Sequence, residues 1–186
     1  MMNFDLILES EKLILRPLER EDFTALLALT SLPDMWRFYT HDLSTEEGMA
    51  VWADPAFDKQ RLQFVVIDKS TGAIAGATAF GNFSVRDKRV EIGWTWLGKD
   101  FQGTGINQEM KRMMLSYCFE SLDLERVEFK TDVLNVQARK ALSNINAIEE
   151  GVLRSHTLMT KGRRRDTIYF SILKNEWSYV KRENNW

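Results

Sequence analysis

The sequence predicts an α/β fold: one domain with a mixed, mostly antiparallel central sheet flanked by helices. Three observations carry this. All three prolines, Pro17, Pro33 and Pro55, lie in the first third, and the rest of the chain is proline-free. From Arg61 onward, β-branched and aromatic runs with a period of two follow one another. Segments of helical period alternate with them. The 186 residues suit one ordinary domain, and no repeat or linker divides them, so the expected domain is 1–186.

The elements follow in order. Leu13, Ile14 and Leu15 form a short first strand closed by Arg16-Pro17. Phe23, Leu26, Leu27 and Thr30 follow Asp22 with helical spacing. Ser44-Thr45-Glu46-Glu47 reads as a capping box, Ser44 and Glu47 satisfying each other's free amides, and opens a helix through Met49 and Trp52. RLQFVVID, AIAGATAFGNF and RVEIGWTWL, separated by turn signals at Thr71-Gly72 and Arg86-Asp87-Lys88, predict a three-strand meander. In the last run Val90, Ile92, Trp94 and Trp96 make an apolar face, while Glu91 is the one carboxylate on the other. Ile106, Met110, Met113, Met114, Tyr117 and Cys118 mark an amphipathic helix over about 105–121. A strand at 127–133, a helix carrying Ala138, Ala141, Leu142 and Ile145, and a hairpin of 151–159 with 166–173 complete the pattern.

Composition excludes several functions. With 25 basic and 27 acidic residues the net charge is -2, which disfavours nucleic acid as the principal ligand. One cysteine, Cys118, and two histidines, His41 and His156, leave no disulfide and no metal-spaced cluster, so no metal is expected. The start MMNFDLILESEK carries acids where a signal peptide carries bases, and no apolar run nears the roughly 20 residues of a membrane span. The expectation is a cytoplasmic protein without a membrane partner.

The chemistry concentrates in WTWLGKDFQGTGINQEMKRMML, residues 94–115. A strand ends, a loop holds Gly98, Gly103 and Gly105, and a long helix begins directly after it. Glycines there let backbone amides converge, and the helix N-terminus adds a positive dipole end, so the loop suits a phosphate or pyrophosphate. It is neither a Walker loop nor a dinucleotide fingerprint, because neither spacing is present. Taken alone, the glycines could equally serve only a tight turn.

Gln102-Gly103-Thr104-Gly105-Ile106-Asn107 resembles the Gln/Arg-x-x-Gly-x-Gly/Ala signature of the GNAT superfamily of N-acetyltransferases, with Asn107 standing where Gly or Ala is usual. LILRPLEREDF, Asn135, EEGVLRSH and GRRRDTIYFSILKNEW extend the likeness along nearly the whole chain, toward the branch containing the ribosomal-protein alanine N-acetyltransferases. The resemblance implies acetyl-CoA as cosubstrate, held between splayed fourth and fifth strands at 90–97 and 127–133. Pantetheine would meet the backbone at Trp96 and Leu97, and the pyrophosphate the amides of Gln102, Gly103, Thr104, Gly105, Ile106 and Asn107. Asn135 would hold pantetheine, cap the following helix, or do both. A homodimer is also implied.

A protonated amine must lose a proton before it attacks a thioester. Glu91 is the candidate base; the alternative is a glutamate paired with Arg86, Lys88, Arg89 or, across the sheet, Lys130. The Ser or Tyr that many relatives place on the helix after the Asn is absent, since Ala138 and Leu142 stand there, and Ser143 and Tyr117 are weaker substitutes. Acetyl transfer to a primary amine, of a protein N-terminus or a small molecule, is the expected activity. A regulatory acyl-CoA-binding protein is the contrasting reading. Trp36, Phe38, Tyr39, His41 and Trp52 either line an acceptor pocket or, more ordinarily, pack the core. Lys161 and Arg163 to Arg165 read as solvated turn charges.

Overall fold

A computed structural model of the chain describes residues 2–30 and 34–186; Pro33 lies outside the described residues. The strands are β1 (Leu8–Glu9), β2 (Leu13–Pro17), β3 (Leu62–Asp68), β4 (Ala73–Ser84), β5 (Arg89–Leu97), β6 (Arg126–Asp132), β7 (Ile148–Leu158) and β8 (Arg164–Leu173). They form one sheet in the order β1-β2-β3-β4-β5-β6-β8-β7. Every neighbouring pair is antiparallel except β5 and β6, which run parallel. A parallel join needs a crossover. The helix α3 (Ile106–Ser116), prolonged by a π turn at Tyr117–Ser121, supplies it.

The remaining helices are α1 (Phe23–Ala28), α2 (Glu46–Phe57), α4 (Val136–Asn144) and α5 (Trp177–Asn184). Two apolar cores result, one on each face of the sheet. Met110, Met114 and Cys118 of α3, Leu142 of α4 and Trp177 and Val180 of α5 bury one face, against Phe64, Phe80, Val90, Ile92 and Phe129. On the other face Leu26 of α1 and Met49 and Trp52 of α2 pack with Trp36 on Val65, Ala77 and Trp96.

The sequence reading needs three corrections. The cap of α2 is Thr45, whose Oγ1 accepts the Gly48 amide at 3.0 Å; Ser44 instead donates to Asp42. Gly48 stands third in that helix, so the reciprocal glutamate bond is missing. β1 and α5 are additional elements that the sequence pattern does not announce. Finally, the apolar face of β5 is not continuous. Trp94 takes a left-handed φ of 50°, and the register passes from Ala79↔Gly93 to Ala77↔Trp96, so that Trp94 and Thr95 together oppose Thr78. This bulge exchanges the faces: Val90 and Ile92 join the α3 core while Trp96 joins the α2 core.

Candidate active site

The parallel pair is short. β5 and β6 are in register only at Arg89↔Arg126, Val90↔Val127 and Glu91↔Glu128. Beyond Glu128, β6 continues with β8 as far as Asp132↔Thr167, and β5 continues with β4 as far as Leu97↔Gly76. The two strands therefore part into a fork whose apex lies just past Glu91 and Glu128. Gly98 N donates to Ala75 O on β4 at 2.9 Å. Strand alternation then turns the backbone groups of Leu97 toward the fork and those of Trp96 toward β4. Gln102 Nε2 donates to Leu97 O at 3.0 Å, and the Tyr39 hydroxyl donates to Thr95 O at 2.8 Å. Trp96 stands apart from the edge, its ring buried beside Trp36 and Trp52.

The open end of the fork meets the glycine loop. Gly103 and Gly105 have φ of 75° and 90°, a region that costs an L side chain strain. A Cβ on either would touch nothing, so conformation and not crowding calls for glycine. Gln102 N donates to Lys99 O, and Glu109 N to Gly105 O. Between them no loop or cap hydrogen bond occupies the amides of residues 103–108 among the described residues. Gly105 caps α3 without a side chain. The first-turn amides therefore face an exposed surface at a helix N-terminus, an arrangement that fits a pyrophosphate.

Glu91 is buried. Its Oε2 accepts Asn82 Nδ2 at 2.7 Å and pairs with Lys130 Nζ at 2.6 Å, realising one of the pairings expected from sequence. Burial opposes the Lys130 charge, but the Glu91 hydrogen bond and charge raise its pKa above the ordinary value. Glu91 Oε1 is left toward the bulge: a Cβ on Gly93 would stand 3.3 Å from it.

Sequence reasoning missed Lys111 of α3. It is 5% exposed, and its Nζ donates to Thr95 Oγ1 at 2.9 Å while lying 5.7 Å from the centroid of the Phe129 ring. Burial alone lowers its pKa to about 7. The signal was present in the helical phase. Around α3, Lys111 projects between Met114 and Leu115, both fully buried, although beside Arg112 it reads as part of a polar face.

The other candidates separate. Asn135 Oδ1 accepts Ala138 N at 3.0 Å and caps α4, and its Nδ2 has no hydrogen-bond partner among the described residues. Asn146 takes a left-handed φ of 59°. Ser143 is exposed on α4, and Tyr117 packs beside Phe80, away from the fork. Cys118 lies in the core with its thiol pKa pushed up by burial. Burial, then the charge of Arg61, lowers the His41 pKa. The basic run is not simply solvated: Arg163 pairs with the buried Asp132, Arg164 donates to Ser155 O, and Arg165 donates to Thr167. His156 is exposed, bonded to Thr167 and Thr157. Among the described residues no cluster of His, Cys, Asp and Glu could hold a metal ion, and no helix is long and apolar enough to cross a membrane.

A forked parallel pair leading to uncapped amides after Gln102 is the arrangement the motif implied, and the family description "Acetyltransferase (GNAT) domain" matches residues 12–147. The chain belongs to the GNAT acetyltransferases. It is an acetyl-CoA-dependent N-acetyltransferase. The uncharacterized N-acetyltransferase p20 of Bacillus licheniformis is 30% identical over 176 residues, covering 92% of this chain and 98% of that protein. YdaF of Bacillus subtilis, named as a proposed ribosomal N-acetyltransferase, is 30% identical over 145 residues, 76% of this chain and 78% of YdaF. A crystal structure of a proposed acetyltransferase from T. thermophilus superposes with a TM-score of 0.89 at 30% identity, covering 100% of this chain and 98% of that one. A GCN5-related N-acetyltransferase from Brucella melitensis gives 0.89 at 27% identity, with 97% and 84% covered. This GNAT chain thus shares its fold with solved relatives over nearly its whole length.

Proposed function

We propose that this GNAT enzyme moves the acetyl group of acetyl-CoA to a primary amine by direct attack within a ternary complex. The observation that carries the reading is the coincidence of the fork with the amides that follow Gln102. The pyrophosphate sits on the amides of residues 103–107, and the pantetheine follows the Leu97 edge of β5 toward the bulge. Asn135, at the start of α4 with its Nδ2 unpartnered among the described residues, borders the same space. Trp96 shapes the site through its ring rather than its backbone.

The acceptor enters from the α1/α2 face and meets Glu91 Oε1 near the bulge. That oxygen takes the proton an ammonium must lose, directly or through water, while Lys130 and Asn82 fix the carboxylate through Oε2. A backbone amide of β5 near the bulge stabilises the developing oxyanion. A protein N-terminal amine is the acceptor class that the likeness to YdaF supports. Comparing initial rates on short peptides with free N-termini against polyamines and free amino acids tests it; a preference for the small amines would overturn that choice. The reaction takes place in the cytoplasm and needs no metal, nucleic acid or membrane.

A further inference from the structure

The fork apex holds a group the reading above leaves without a task. Thr95 is the second residue of the bulge, and Phe129 is the first residue of β6 beyond its last pair with β5. Lys111 reaches up from α3 between them, bonded to Thr95 and facing the Phe129 ring. An ammonium has three donors; a single protein acceptor, Thr95 Oγ1, takes one of them among the described residues. A lysine held for structure is normally exposed or paired with a carboxylate. Here Glu91, Glu128 and Lys130 lie on the opposite face of the strands from the α3 core, and Glu109 and Arg112 pair with each other. The neighbours on the lysine's own side are Thr95, Thr78, Met114 and the ring of Phe129. The α4 residues Ala138 and Leu142 carry no hydroxyl.

We propose that Lys111 is the general acid of this site, donating the proton that converts the departing CoA thiolate to the thiol. The inference rests on the reading that acetyl-CoA lies in the fork. An arm running along β5 from the glycine loop brings the thioester to the apex, with Glu91 on one face and Lys111 on the other. As the acceptor nitrogen bonds to the acetyl carbon, the C–S bond breaks and its electron pair stays on sulfur. That pair takes a proton from Lys111 Nζ. The acceptor nitrogen sheds two protons on its way from ammonium to amide. Glu91 takes the first and passes it to solvent, and the second, lost as the intermediate collapses, restores the Lys111 ammonium through water. Both side chains therefore end as they began and one proton is released. Burial makes this lysine a stronger acid than an exposed one, and so better matched to a thiol of pKa near 8.5.

Lys111→Met tests this, because it keeps the length of the side chain and removes the proton. Two quantities are compared with wild type: acetyl-CoA affinity by titration and the pH profile of kcat. The proposal expects affinity for acetyl-CoA within about threefold of wild type. It expects kcat to fall by about 10²-fold and the alkaline limb of the wild-type profile to be lost. Unchanged kcat, or an alkaline limb that persists in the variant, would overturn it. Loss of acetyl-CoA binding in the variant alone would overturn it too, making Lys111 a binding residue. Wild type that binds no acetyl-CoA would instead remove the reading on which the proposal stands.

Discussion

Glu91 and Lys111 approach the same fork from opposite faces with opposite histories of burial. Glu91 is buried with Lys130 and Asn82 as partners, so its burial is compensated. Among the described residues Lys111 has no such partner, and folding withdraws its ammonium from water. Replacing Glu91 by Gln preserves the shape and the Asn82 contact. We expect kcat to drop about 10²-fold with acetyl-CoA affinity unchanged; an unaltered rate at saturating acceptor would remove Glu91 as the base. The Lys111 shift also writes itself into stability. Its pKa is about 7 in the folded protein against 10.5 for the free side chain, so between those values the unfolded chain binds the extra proton. Stability from this group is therefore least below pH 7 and is gained as pH rises through that window. Thermal melts of the apo protein across this range should show a rise that Lys111→Met lacks, the variant being more stable than wild type at and below neutral pH. Each pKa unit being about 1.4 kcal/mol, the difference amounts to a few kcal/mol. Parallel pH profiles for the two proteins would contradict the assignment of a buried amine.

At the scale of elements, the loop and the caps make separable contributions. Gly105 lies at φ 90° with open space around a would-be Cβ. Gly105→Val costs roughly 1–2 kcal/mol of strain, and its branched side chain projects into the anion surface. Acetyl-CoA titration should then fail while circular dichroism reports a folded protein; retained affinity would mean that the pyrophosphate lies elsewhere. Asn135→Ala removes the Ala138 cap and should cost about 1 kcal/mol in a thermal melt. A loss of acetyl-CoA affinity beyond that stability change is the sign that Asn135 also holds pantetheine. Some of this layer was legible from the sequence. The helix after the glycine loop, the meander and the hairpin all appear in the expected order because hydrophobic period and turn residues determine them. The bulge was not legible: Trp94 has no left-handed preference, so nothing in RVEIGWTWL signals that the faces exchange halfway along. Lys111 was hidden by the ordinary rule that a charged residue on an amphipathic helix is solvated, although Leu115 widens the buried arc enough to include it.

At the scale of the whole molecule, the sheet is built to open in one place. Seven strand pairs hold the sheet together, and the pairing of β5 with β6 covers three residue pairs before the strands diverge. α3 ties the two halves together beneath the gap, its N-terminus at the open end and Lys111 at the apex. The ends of the chain finish the structure without touching the fork: β1 extends one edge, and α5 seats Trp177 against Phe119. Both elements were missed because β1 is two residues long and α5 carries its apolar side chains on a single narrow face. The central claim, that the fork and the glycine loop together form the acetyl-CoA site, is tested most directly by calorimetric titration of the purified protein with acetyl-CoA, with ATP as the competitor. The account predicts micromolar or tighter binding of acetyl-CoA, displaced by CoA and little affected by ATP. Folded protein that binds neither acetyl-CoA nor CoA, or binds ATP equally well, would contradict it.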